Sequence, residues 1–149
     1  MQFVPKSIKQ ARLLHAFEQE RINRHFTEAK IIMISALNNS VSALQAFTQQ
    51  INTSANNVAN SLSDEFKASR TRNIEGENGG VTTYTTKDNS SGPLVEDPLK
   101  NDGSLKELSN TDIAEEFVQQ ISAQNGYEAN AKTIKTVDET IGSVIDIIG

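Results

Sequence analysis

The chain has 149 residues, 36% of them apolar and 5% aromatic, with no cysteine, no tryptophan and a formal net charge of −5. That is one domain's worth of chain at most, and an apolar share below the usual ~45–50% cannot build a large isolated core. Disulfides, Cys-ligated metals and thiol nucleophiles are excluded, no run of 18 apolar residues offers an ordinary membrane-spanning helix, and the acidic balance argues against nucleic acid as main partner. In chain order, residues 1–32 come first and carry the opposite sign, with six Lys/Arg against three Glu (+3), which leaves −8 for the remainder. They show no apolar core and cleavage pattern of a secretory signal, so a chain leaving the cytoplasm would need another route. Within them residues 6–26 predict a short helix, although Ile8, Leu13, Leu14, Phe17, Ile22 and Phe26 fit no single helical face well.

Residues 34–62 are cleaner. Ile34, Leu37, Val41, Leu44, Thr48, Ile51, Ala55, Val58 and Leu62 follow three- and four-residue steps, an a/d seam uninterrupted by glycine or proline. The other faces carry Asn, Gln, Ser and Thr, whose mediocre helix propensity leaves stability to packing. Residues 71–108 break the pattern with five glycines and two prolines. Among them VTTYTTK at 81–87 reads as one strand, half of a small hairpin, flanked by turn material in EGENGG and DNSSG.

A second long helix is expected from Asp112, with Glu115 three positions on as a capping-box-like start. Ile113, Phe117, Gln120, Gln124, Tyr127, Ala131, Ile134, Asp138, Ile141, Ile145 and Ile148 follow the same steps, and Gly126 and Gly142 weaken the helix locally. The expected fold is mainly α: antiparallel N- and C-terminal long helices forming a coiled-coil pair, with a small β-rich insert at one tip. The divisions are a basic extension (1–32), an N-terminal helix and motif (33–70), the insert (71–108) and a C-terminal helix (109–149).

Two stretches carry a family resemblance. ANNVANSLSDEFKASR at 55–70, with Leu44 before it, contributes Ala55, Asn56, Asn57, Val58, Ala59, Asn60, Phe66, Lys67 and Arg70. SNTDIAEEFVQQISAQNGYEANAKTIKTVDE at 109–139 contributes Ser109, Asn110, Asp112, Glu116, Phe117, Val118, Ile121, Ala123, Gln124, Tyr127, Ala129, Asn130, Lys132 and Asp138. In this order they resemble the terminal motifs of the bacterial flagellar axial family, the rod and hook proteins of the basal body. The chain departs from the family pattern at Glu65, where glycine is usual, at Gln120, where methionine is common, and at Asn125, where arginine is usual. Its insert of about forty residues resembles small rod subunits, whereas the C-terminal wording is closer to distal rod and hook members.

The resemblance implies terminal helices that pair and stack into a tube, in a structural subunit exported unfolded by the flagellar type III apparatus, without a cleaved signal peptide, to the periplasm-spanning rod. Its implied partners are copies of itself and other axial proteins, with no cofactor, small-molecule substrate or nucleic acid. The expected assembly interface comprises Leu37, Val41, Leu44, Ile51, Asn56, Asn57, Val58, Asn60, Phe66, Phe117, Ile121, Gln124, Tyr127, Asn130, Ile134, Ile141 and Ile145. Asn56, Asn57 and Asn60 are expected to fix register across subunits, as one buried Asn aligns a coiled coil. Relatives begin close to an apolar helix, and Met33 immediately precedes Ile34. Translation is therefore expected to start at Met33; the alternative is a genuine extension that joins the tube wall.

No catalytic constellation competes. His15 and His25 are ten residues apart and lack the spacing of a helical metal pair. Glu115/Glu116 and Asp138/Glu139 are sequence neighbours that diverge by about 100° on a helix. EGENGG has no P-loop lysine and serine, and no nucleophile elbow is present. The alternative of another class is a cytoplasmic helical adaptor or export chaperone that binds partners through an amphipathic groove.

Overall fold

A computed structural model describes residues 6–76, 79–100 and 102–148. Helix α1 (Lys6–Ala59) is followed by strands β1 (Ser69–Glu75), β2 (Val81–Lys87), β3 (Leu94–Glu96) and β4 (Leu105–Glu107), then helix α2 (Ile113–Ile148). The two helices, 54 and 36 residues long, make up most of the described residues. Residues up to Ala36 make one compact unit and those from Leu37 onward a second.

In the first unit every described side chain from Ile8 to Ile32 is exposed. The short helix expected over 6–26 is part of α1, which stays helical through Met33. Its apolar residues showed no common face because the helix buries none: without a covered side, no 3.6-residue period is imposed. An 18-residue window of α1 has a mean hydropathy of 1.2 and is 17% buried. By length and composition alone that is enough to cross a membrane, which corrects the exclusion drawn from the lack of an unbroken apolar run.

The second unit holds the helix pair. Phe47 of α1 faces Gly126 of α2, while Ser54 bonds Glu116 and Gln120, so the chain directions are opposed. The expected antiparallel pairing is thus present, but on a different stripe. On α1 the buried positions are Ser40, Ala43, Ala46, Ser54 and Asn57. The expected seam lies about one residue away: Leu37, Leu44, Ile51 and Val58 are half-buried on its flank, whereas Val41 is 46% exposed. On α2 the covered positions are Glu116, Gln119, Gln120, Ala123, Gly126, Asn130, Ile134, Val137, Ile141 and Val144. Only Gln120, Ile134 and Ile141 belong to the expected seam; Phe117, Tyr127 and Ile145 are exposed. The side chain of Ile148 lies outside the described residues. Small residues let two helices approach closely, so the narrow stripe packs inward and the bulky one faces out.

VTTYTTK forms β2, as its β-branched run predicts. Its partner β1 pairs antiparallel from Ser69↔Lys87 to Glu75↔Val81. The hairpin does not stand at a tip; it folds back along α1. A hydroxyl chain, Thr53···Thr71 (2.7 Å) and Thr71···Thr85 (2.8 Å), joins helix to sheet. Nearer the turn, the Val81 N–H donates to Ser42 Oγ at 3.0 Å. Gly80 (φ 79°) sits where a Cβ would come within 2.7 Å of that oxygen. A second, short hairpin, β3–β4, pairs Leu94↔Glu107 through Glu96↔Leu105. Three-residue strands carry too little alternation to be read from sequence.

Candidate functional site

The two motif stretches meet where both helices and both hairpins converge, and a polar knot ties them. Asn57, in the last turn of α1, has 0% exposure. Its Oδ1 accepts the Ser69 N–H at 2.9 Å, and its Nδ2 donates to the Ser69 carbonyl at 2.7 Å and to Glu116 Oε1 at 3.0 Å. The amide therefore grips the first residue of β1 as a neighbouring strand would, while holding the first turn of α2.

Glu116 is 1% exposed, and a carboxylate so placed requires a partner. Arg70 supplies it: Nη1 lies 3.0 Å from Glu116 Oε1 and Nη2 lies 2.7 Å from Glu115 Oε2. Two successive carboxylates can share one guanidinium because its planar fork presents parallel donors. Ser54 Oγ closes the knot, donating to the Glu116 carbonyl at 3.0 Å and accepting from Gln120 Nε2 at 3.2 Å. Asp112 caps α2, its Oδ1 accepting the Glu115 N–H at 3.1 Å. That start agrees with the sequence expectation, but the Glu115 carboxylate turns to Arg70.

Asn110 and Lys67 extend the knot to the hairpin connections. Asn110 Oδ1 accepts the Ala68 N–H at 2.7 Å, and its Nδ2 donates to the carbonyls of Asp88 and Ser90, each at 3.0 Å. Lys67 Nζ donates to the Ser90 carbonyl and to Glu107, whose Oε1 also accepts the Gly92 N–H at 2.6 Å. The Lys67 ammonium, followed by that amide, holds the Glu107 carboxyl below its usual range.

The expected interface residues divide accordingly. Asn57 bonds within the chain, to Ser69 and Glu116. Asn60, in the turn just past α1, donates to the Asn56 carbonyl at 2.9 Å, and Asn130 to the Gly126 carbonyl at 2.8 Å. Phe66 is half-buried, while Asn56 and Gln124 are exposed. Phe117, Ile121, Tyr127 and Ile145 are 52%, 61%, 40% and 62% exposed. Sequence reasoning did not single out Ser54, Thr53 or Glu107, which no local pattern marks. Lys67, Arg70, Asn110 and Glu116 were all among the positions matching the family motifs, the signal by which they could have been found.

Comparison with known proteins adds to this geometry. Residues 102–147 match the family model described as flagellar basal body rod FlgEFG protein C-terminal. The chain is 39% identical over 49 residues to the flagellar basal-body rod protein FlgG of Bacillus subtilis (strain 168), covering 30% of this chain and 19% of that one. It is 42% identical over 41 residues to the flagellar hook protein FlgE of Escherichia coli (strain K12), covering 28% of this chain and 10% of that one. The match to the hook protein of Salmonella typhimurium has the same extent. The chain thus spans less than a fifth of the length of these relatives.

Proposed function

We propose that this chain, which resembles flagellar rod and hook proteins over its C-terminal part, is a structural subunit of the basal-body rod, or of the rod/hook region. It passes unfolded through the flagellar type III export apparatus and assembles with copies of itself and other axial proteins into a helical tube that transmits torque. One observation carries the reading. Among the described residues the buried apolar ones are four alanines, Ala43, Ala46, Ala68 and Ala123, while 22 large apolar residues are exposed. A protein complete in itself places its Leu, Ile and Phe inside, each worth ~1.5–3 kcal/mol when buried. Here that contribution is left for neighbours.

The polar knot supports the same reading. It holds the helix pair by directional bonds, so the paired unit keeps its geometry without using the bulky side chains needed outside. Phe117, Ile121, Tyr127 and Ile145 on α2, with Val41 on α1, form the proposed surface for other subunits. A folded state of low apolar burial is also easily held open for export. The test is electron microscopy of basal bodies from a strain lacking the gene, alongside fractionation of the tagged protein. A rod or hook that stops short, with the protein in purified basal bodies, is the expected result. Complete basal bodies, normal motility and a wholly cytosolic protein would refute the proposal.

A further inference from the structure

We infer that the basic N-terminal part of α1 docks on the outward face of α2 in a second copy, so that copies couple head to tail. The inference rests on the self-assembly proposed above and takes residues 1–32 as a genuine extension, the alternative to a start at Met33. Leu13, Leu14, Phe17, Phe26, Ile31 and Ile32 are between 46% and 67% exposed. At about 100° per residue Leu13, Leu14, Phe17, Ile31 and Ile32 fall within one arc of about 100°, while Phe26, with the exposed Ile8 and Ile22, lies on the opposite side, so apolar groups stand on two sides of the helix. A membrane surface would cover a single stripe, whereas neighbouring helices cover several sides.

The charge identifies the neighbour. Residues 1–32 carry +3. On helix α2 Arg70 holds Glu115 and the buried Glu116, and the exposed Glu128, Asp138, Glu139 and Asp146 stand against Lys132 and Lys135, a net −2. Its exposed apolar residues include Phe117, Val118, Ile121 and Ile145. Both halves of a complementary pair therefore stand on one chain. Their lengths agree: the arm of residues 6–32 is about 40 Å long and α2 about 54 Å at 1.5 Å per residue. A contact between two different surfaces of one chain is heterologous, and it propagates as an open filament where a two-fold dimer would close.

The test uses the full purified chain, followed by sedimentation velocity and negative-stain microscopy at low and high salt. One variant combines Arg12→Glu, Arg21→Glu and Arg24→Glu; the other combines Glu128→Lys, Asp138→Lys and Glu139→Lys. All six positions are exposed, and circular dichroism checks that helix content is unchanged. The wild-type chain is expected to form filaments that weaken with salt. Each variant alone should associate at least tenfold more weakly, and an equimolar mixture should recover association. Filaments unaffected by the arm substitutions would overturn the arm proposal and leave the axial function standing. A wild-type chain that stays monomeric at all concentrations would count against self-assembly itself. Binding to anionic phosphatidylglycerol vesicles without self-association would overturn the inference in favour of a membrane surface.

Discussion

Glu65 is the described non-glycine residue with positive φ, at 58°. An L side chain in that left-handed region costs roughly 1–2 kcal/mol, and the family-like pattern has glycine at this place. Glu65 stays there because its N–H donates to the Glu107 carbonyl at 2.9 Å, joining the loop after α1 to β4. Glu65→Gly is expected to raise stability by about 1 kcal/mol, the relieved strain outweighing the added freedom of the unfolded chain. Urea denaturation measures it, and a loss would mean that the Glu65 side chain contributes more than its backbone costs. Asn57→Leu should act in the opposite sense. It leaves the Ser69 N–H and carbonyl without their partner and removes a donor from Glu116, a loss of about 3 kcal/mol. Asn60→Leu removes only exposed local bonds, to the Asn56 carbonyl and from Ser63 Oγ, and should cost less than about 1 kcal/mol. Equal effects of the two would deny the special place of Asn57 in the knot.

At the scale of elements, the two glycines of α2 differ in purpose despite the same residue type. Around Gly142 nothing lies within 4 Å of an added Cβ. Gly142→Ala should therefore stabilise α2 by about 0.8–1 kcal/mol through helix propensity alone. At Gly126 the added Cβ would stand 2.3 Å from Phe47 Cζ and 2.6 Å from Cε1. The ring must move or the helices must part, at about 1–3 kcal/mol, which exceeds the propensity gain. Gly126→Ala is expected to lower the melting temperature while Gly142→Ala raises it. A rise for both would show that the Phe47 ring yields freely and that the helix pair is loosely packed. The first hairpin belongs to the same argument. Laid on α1 through Thr53, Thr71 and Ser42, it covers a second side of the helix.

For the whole molecule, among the described residues, alanines and hydrogen bonds close the interior while large apolar groups are left exposed. Stability should therefore depend on concentration. Raising the chain from about 1 µM to 100 µM is expected to raise its melting temperature and helix signal together, because assembly draws on the folded state only. A transition independent of concentration would mark the chain as self-sufficient. Removing residues 134–149 should abolish assembly, since Ile134 and Ile141 support α2 and Ile145 stands on its outer face. Normal motility of the truncated strain would deny that requirement.

The sequence by itself determined the two long helices, the start of α2 at Asp112, the strand VTTYTTK and the antiparallel pairing of terminal helices. Each of these follows from local signals: capping chemistry, β-branched runs and a three-four period uninterrupted over several turns. The matched motifs also marked Asn57, Lys67, Arg70, Asn110 and Glu116 without saying that they meet. Only the tertiary structure decided which stripe turns inward. Periodicity records that Val41, Phe117 and Tyr127 share spacing, but not whether their cover comes from the same chain or from another. In most single domains the apolar stripe is the inner one. Here Ser40, Ala43, Ser54, Asn57, Glu116 and Ala123 take the interior, because small side chains allow close approach and the buried carboxylate finds Arg70 across the fold. That pairing joins residues 46 positions apart, a distance over which no local pattern in the chain can speak.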